Sequence, residues 1–415
     1  MGNSALSDTG TTASLFQHAC RRYGDRIVLS WGSHTLTYAD FAREVAALGE
    51  ALHAAGIKRG DRVTLLGGNR PDILIATYAA QGLGAATSAL HPIGGEADHR
   101  FVLEDSESTL LIYCERDFAE RATALQRSLP GLKVLAFGSR SDNGLNRLAV
   151  PYLGASWRIT AEPGDISRIS YTGGTTGKPK GIILRHRSNM MAAVLTRTAW
   201  DWPGDVRFLS VTPLSHASGT MFLPIAIQGG SMRVAPRFTP QVFAAEARRH
   251  RITTTFLVPT QMLRLLDEAD LDADAVSAIE MVLYGAAPTA PARLVQWLKR
   301  FGQNLVQLYG QAESPNCLTV LPRHMHDLDR PERLASCGIA NIGMQIAVLD
   351  GDNKPVADGE TGELCARGPS VMEGYLKRPE DTAKTLAGDW LHTGDLATRD
   401  ADGLFYLVGR AKDMI

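Results

Sequence analysis

Apolar residues recur at helical spacing near the start of the chain, at Leu15, Phe16, Ala19, Cys20 and Tyr23, which predicts an amphipathic helix. Residues 35–38 read as a short extended run. Phe41, Val45, Leu48 and Leu52 mark a second helix that stops near Gly56, and 61–66 reads as a buried strand. The turn Asn69-Arg70-Pro71-Asp72 opens a helix through Ile73, Ile75 and Tyr78. Strands are expected at 86–90 and 110–113, with a helix over 100–103 between them. Strands alternating with helices predict an α/β sheet covered on both faces.

Residues 138–163 are richer in Gly, Ser, Asn and Asp and form the best candidate for a long connection. Beyond them lies Tyr171-Thr172-Gly173-Gly174-Thr175-Thr176-Gly177-Lys178-Pro179-Lys180-Gly181, flanked by the apolar runs around Ile169 and Ile182. The pattern predicts a loop between two strands. Its backbone N–H groups, threonine hydroxyls and lysines suit an oxyanion, although a flexible surface hairpin has the same composition. It is not a Walker A loop, which needs Gly at Thr172, Ser or Thr at Pro179, and a helix after it.

The strand–helix rhythm then continues, with helices expected at 189–197, 220–229, 240–250 and 290–301. The accompanying strands are expected at 208–212, 231–234, 253–258, 280–284 and 304–309. From Ala335 the pattern changes. Gly338, Gly343, Gly351, Gly359, Gly362, Gly368 and Gly374 punctuate short apolar runs such as 345–349 and 362–366, which predicts an antiparallel, turn-rich, barrel-like module.

Composition narrows the classes. The 415 residues include 43 basic and 44 acidic ones, a formal net charge of −1, which gives no reason to expect nucleic acid or an anionic membrane as partner. Five scattered cysteines, Cys20, Cys114, Cys317, Cys337 and Cys365, form no close pair and fit a reducing, cytoplasmic compartment. The uncharged stretch 73–95 is broken by glycines, His91 and Pro92, so it reads as helix, turn and strand and not as a transmembrane segment.

Several motifs fall in one order. After the Gly/Thr loop come Tyr284-Gly285-Ala286-Ala287-Pro288, Tyr309-Gly310-Gln311-Ala312-Glu313, Gly362-Glu363-Leu364 with Gly374-Tyr375, Trp390-Leu391-His392-Thr393-Gly394-Asp395 and Gly409-Arg410-Ala411-Lys412-Asp413. In this order they resemble the signatures of the adenylate-forming superfamily, which includes acyl-CoA synthetases, carrier-protein adenylation domains and luciferases. The resemblance implies an α/β fold of two stacked sheet subdomains, residues 1–165 and 166–334, followed by a β-barrel-like subdomain at 335–409. It also implies a hinge at 410–415 leading to a mobile C-terminal domain. Such members join a carboxylic acid to Mg·ATP as an acyl-adenylate with release of pyrophosphate, then pass the acyl group to a thiol.

The resemblance implies roles residue by residue. Thr172, Thr175, Thr176 and Lys178, with the N–H groups of Gly173, Gly174 and Gly177, would hold ATP phosphates. Glu313 would ligate Mg²⁺, as a hard cation favours carboxylate oxygen. Gly285, Ala286, Ala287, Tyr309 and Gly310 would form the adenine slot, while Asp395, Arg410 and Lys412 would face ribose or phosphate. His216 would lie between the acyl pocket and the phosphates. Two departures stand out, since Gly173 replaces the usual Ser and Ala312 the usual Thr. The expected acceptor is CoA and the acid aliphatic or aromatic. A carrier protein as acceptor, or a non-catalytic nucleotide-binding module, is the alternative. The sequence stops at the hinge position, so a fragment that binds nucleotide but turns over poorly is expected.

Overall fold

The first helix starts where the chain can satisfy its own backbone. Thr11 accepts a hydrogen bond from the Ser14 N–H and Ser14 answers to Thr11, a reciprocal cap that begins Thr12–Tyr23. Thr37 and Asp40 form the same device at the head of Tyr38–Ala54. The predicted apolar faces then meet. The Phe16 ring lies 5.0 Å from Phe41, 4.5 Å from Tyr78 and 5.2 Å from Phe222, so one aromatic cluster ties together helices far apart in sequence.

In this computed structural model of the chain, residues 10–138, 144–171, 179–269, 271 and 273–413 are described. They fall into two compact units, one drawn from Met1–Met190 and Thr212–Pro236, the other from Met191–Val211 and Arg237–Ile415.

The first unit holds a sheet in the order Gly181–Arg185, Ile166–Tyr171, Ala86–Ala89, Arg62–Leu66, Leu110–Cys114, Lys133–Phe137. Its four later members run parallel, and Ile166–Tyr171 pairs antiparallel with Gly181–Arg185, so the Gly/Thr stretch does connect two paired strands. A further strand, Ile27–Trp31, pairs with His34–Thr37 and Ser231–Val234. The uncharged stretch near residue 73 resolves into the helix Asp72–Gly82 and the strand Ala86–Ala89, as expected. Among the described residues, no helix is long and apolar enough to cross a membrane.

The second unit carries Arg207–Ser210, Thr254–Leu257, Met281–Tyr284, Leu305–Gln311, Ser314–Leu321 and Ile339–Ala340. A separate antiparallel sheet runs Gln345–Leu349, Gly362–Arg367, Leu391–Arg399, Phe405–Arg410. The turn-rich module after Ala335 is antiparallel, as expected, and among the described residues it is an open four-stranded sheet, since its first and last strands do not pair with each other. Cys337, Val348, Leu364, Ala397 and Phe405 form a buried cluster beside this sheet, and Tyr309 packs against it.

The hydrophobic pattern passed over Ile27–Trp31, Glu115–Ser128, Lys133–Phe137 and Ser314–Leu321. The helix Glu115–Ser128 buries only Ala122 and Leu125, too thin a stripe to reveal its period.

Candidate active site

In the second unit, the strands Leu305–Gln311 and Ser314–Leu321 are joined by a hairpin whose central residues are Ala312 and Glu313, with Gln311 paired to Ser314. Gly310 is required before this turn, because a Cβ there would lie 2.6 Å from the Asn316 nitrogen and 2.9 Å from the Ser314 carbonyl oxygen. The hairpin sends consecutive chemistry in two directions. Glu313 accepts a 2.7 Å hydrogen bond from the Tyr375 hydroxyl, and its own carbonyl accepts from Met372 N–H. Burial and the Glu313 charge push the Tyr375 phenol upward, so it stays a donor.

The other direction leads to Asp395, on Leu391–Arg399. Its carboxylate accepts from the Tyr309 hydroxyl at 2.5 Å and from Gln311 Nε2 at 2.8 Å, and pairs with Arg410 Nε at 2.8 Å. Asp395 is buried, at 7% exposure, whereas Arg410 is half-exposed. Arg410 reaches it because Asp395 and Arg410 are register partners on adjacent strands. Thr393 fixes the approach by donating to the Leu364 carbonyl and accepting from the Asp395 N–H. A carboxylate offers about four acceptor sites, so this one keeps capacity for a further donor.

Gly285, Ala286 and Ala287 follow the strand Met281–Tyr284. Gly285 is buried, and a Cβ there would meet the Leu308 carbonyl oxygen at 2.3 Å. Ala286 is exposed and takes φ +68°, a conformation a non-glycine residue holds only at a cost of roughly 1–3 kcal/mol. Tyr284 does not face outward with them, and its hydroxyl is held by Gln307 and His326 inside the unit.

In the first unit, His216 caps the helix Ala217–Ala226. Its Nδ1 sits 2.8 Å from Ser215 Oγ, and its ring meets His91 edge to face at 4.6 Å. Burial, then His91 and Arg168, push the imidazole down to about 4, so it is neutral at physiological pH. Arg168 donates to the Ser215 carbonyl, and Asn69 clamps the preceding segment by contacts to Thr212 and Leu214. Gly219 is obligatory, since a Cβ would come within 2.0 Å of the Leu214 carbonyl oxygen.

The structure therefore brings together Tyr309, Asp395 and Arg410, and places Glu313 on the same hairpin as Tyr309 and Gly310. Thr172, Gly173, Gly174, Thr175, Thr176, Gly177 and Lys178 lie outside the described residues, as does the side chain of Lys412. In the second unit, sequence reasoning gave no role to Gln311 or Tyr375, although both sat inside recognised motifs. In the first unit, it gave none to His91, Asn69 or Arg168 around His216, and no local pattern marks them.

The chain resembles known proteins in sequence and fold. Residues 16–376 match the family model of the AMP-binding enzymes. A medium/long-chain-fatty-acid–CoA ligase of Mycobacterium tuberculosis, FadD8, is 39% identical over 407 residues, covering 96% of this chain and 71% of the relative. A feruloyl-CoA synthase of an Amycolatopsis species is 33% identical over 394 residues, covering 92% of this chain and 75% of the relative. Among solved structures, the amide bond synthetase McbA of Marinactinospora thermotolerans superposes with a TM-score of 0.90 at 27% identity, covering 98% of this chain and 80% of that one. With its ordered motifs and its anchored Asp395, the chain belongs to the AMP-binding, adenylate-forming enzyme family.

Proposed function

We propose that the protein is an ATP-dependent carboxylic acid–CoA ligase that works through an acyl-adenylate. The observation that carries this reading is the Asp395 carboxylate, buried, held by Tyr309, Gln311 and Arg410, and still able to accept a ribose hydroxyl. In the first step a substrate carboxylate oxygen attacks the α-phosphorus of ATP and pyrophosphate leaves. In the second the CoA thiol attacks the acyl carbon, and AMP departs with the electron pair of the C–O bond.

Both reacting partners of the first step are anions, so positive and dipolar groups must offset their repulsion. Thr172, Thr175, Thr176, Lys178 and the N–H groups of Gly173, Gly174 and Gly177 are our choice for the β- and γ-phosphates. Glu313 fits Mg²⁺ by donor type: it presents a carboxylate at a hairpin tip, and Tyr375 occupies one of its oxygens. Bound there, Mg²⁺ supplies charge neutralisation to the phosphates. Gly285, Ala286 and Ala287 offer a small-residue surface for adenine, and neutral His216 borders the acid without adding charge beside it.

The acid is aliphatic or aromatic in this reading, which rests on the names of the relatives and on His216 being neutral. CoA is the preferred acceptor, and a cytoplasmic location accords with five free, buried cysteines. A panel of fatty and aryl acids, assayed for acid-dependent pyrophosphate release and then for thioester with CoA, tests the proposal. Pyrophosphate release followed by transfer only to a carrier protein or an amine would keep the adenylate and replace the acceptor. No acid-dependent release with any acid would leave a nucleotide-binding module.

A further inference from the structure

We propose that Glu363, Cys365 and His392 form a binding site for a borderline-soft divalent cation, zinc by its chemistry, separate from the Glu313 carboxylate. Glu363 and Cys365 stand two residues apart on Gly362–Arg367, and alternation along a strand puts their side chains on one face. His392 lies on the neighbouring strand as the direct register partner of Cys365. Glu363 Oε2 is 2.8 Å and Cys365 Sγ 3.5 Å from the same atom, His392 Nδ1. All three ligand atoms lie within 4.8 Å of one another.

These separations can be compared with what a metal demands. Tetrahedral zinc, with Zn–S about 2.3 Å and Zn–N about 2.0–2.1 Å, holds a sulfur and a nitrogen about 3.5 Å apart. The Cys365–His392 pair already has that spacing. The same geometry sets oxygen and nitrogen about 3.4 Å apart, so the Glu363–His392 hydrogen bond would open by about half an ångström as the cation replaced its proton.

Two further contacts orient the ligands. His392 Nε2 faces the Ala387 carbonyl oxygen at 3.3 Å. A histidine that binds through Nδ1 carries its proton on Nε2, and donation to a carbonyl is the usual outer support of a metal-bound imidazole. Glu363 Oε1 accepts the Gly394 N–H at 2.8 Å, which leaves Oε2 directed at His392 and Cys365. Cys365 is fully buried, while the His392 and Glu363 side chains are 17% and 27% exposed, so solvent can supply a fourth ligand. Thiolate and imidazole donors select zinc over magnesium, and the millimolar Mg²⁺ of an adenylation assay does not compete. The competing structural account is a Glu363–His392 bond that simply fixes one strand, with Cys365 as a core residue.

The test is titration of the chelator-treated full chain with Co²⁺ in excess Mg²⁺, followed by displacement with Zn²⁺. One equivalent of Co²⁺ should bind and give a sulfur-to-cobalt charge-transfer band in the near ultraviolet, which Zn²⁺ removes. Cys365→Ser should abolish the band, and His392→Ala should weaken binding about tenfold or more. Cys114→Ser should leave both unchanged. If Cys365→Ser or His392→Ala fails to fold, judged by circular dichroism without metal, Glu363→Gln takes its place and should also weaken binding. Absence of the band in the wild type, or a band that survives Cys365→Ser, overturns the site and leaves the structural account.

Discussion

The hydroxyl of Tyr309 donates to Asp395 Oδ2 at 2.5 Å, joining two residues 86 positions apart. Burial and the Asp395 charge push the phenol upward, so Tyr309 remains a donor throughout the working pH range. The carboxylate is thus oriented by the protein's own side chains. Replacing Asp395 with Ala should weaken AMP binding by about 1.5–3 kcal/mol, as expected for loss of a charge-assisted contact. Tyr309→Phe should cost less, because Gln311 and Arg410 still hold the carboxylate. Calorimetry with AMP checks both; equal affinity of wild type and Asp395→Ala sinks the ribose assignment.

Glu313→Gln keeps the shape of the hairpin tip and removes its charge. Acid-dependent pyrophosphate release should fall about 10²–10³-fold, the loss typical of one group that stabilises charge in the transition state. The Mg²⁺ concentration needed for half-maximal rate should rise. Tyr375→Phe, which removes only the orienting bond, should produce a smaller change in the same direction. An unaltered Mg²⁺ dependence in Glu313→Gln would place the cation on other residues.

Ala312 occupies the hairpin turn beside Glu313, where a threonine would add a hydroxyl. Ala312→Thr should speed adenylation by an amount on the order of 1 kcal/mol, the usual worth of one added hydrogen bond. Pyrophosphate exchange in a single-turnover format measures it. A rate unchanged or lowered would show that the site is adapted to alanine.

Two buried histidines set an acid limit on stability. His326 offers Nδ1 to the Pro322 carbonyl and faces the Tyr284 hydroxyl through Nε2, a pairing that the neutral ring satisfies. His186 Nδ1 accepts from the Thr12 N–H. Burial pushes both down to about 4. Below pH 6.5 the unfolded chain takes up these protons before the folded one does, so stability falls as pH drops from about 6.5 towards 4. Each site contributes up to about 3 kcal/mol over that window, from one pKa unit being worth about 1.4 kcal/mol. Urea unfolding at stepped pH should show this slope, and His326→Gln should flatten it.

Gly219→Ala should destabilise the first unit, since its Cβ would strike the Leu214 carbonyl oxygen at 2.0 Å, backbone that cannot swing aside. Overpacking of this kind costs about 1–3 kcal/mol or more. Gly204→Ala, with open space around its Cβ, is the control. Melting temperatures of the two variants distinguish the clash from a general loss of glycine.

The sequence by itself determined the rhythm of strands and helices, the two strands that flank the Gly/Thr stretch, the turn-rich module after Ala335, and the order of the motifs. These are local properties: periodicity, turn chemistry and short signatures are written along the chain and survive without tertiary context. Tertiary structure alone decided the partners. Tyr375 meets Glu313, His91 meets His216, and Gln311 turns away from its hairpin to Asp395 because packing brings together segments remote in sequence. The segment Thr212–Pro236 joins the first unit although it follows part of the second, an exchange no linear reading displays. The module after Ala335 stayed open for the same reason: whether edge strands pair is fixed by long-range packing, which repeated glycines do not encode.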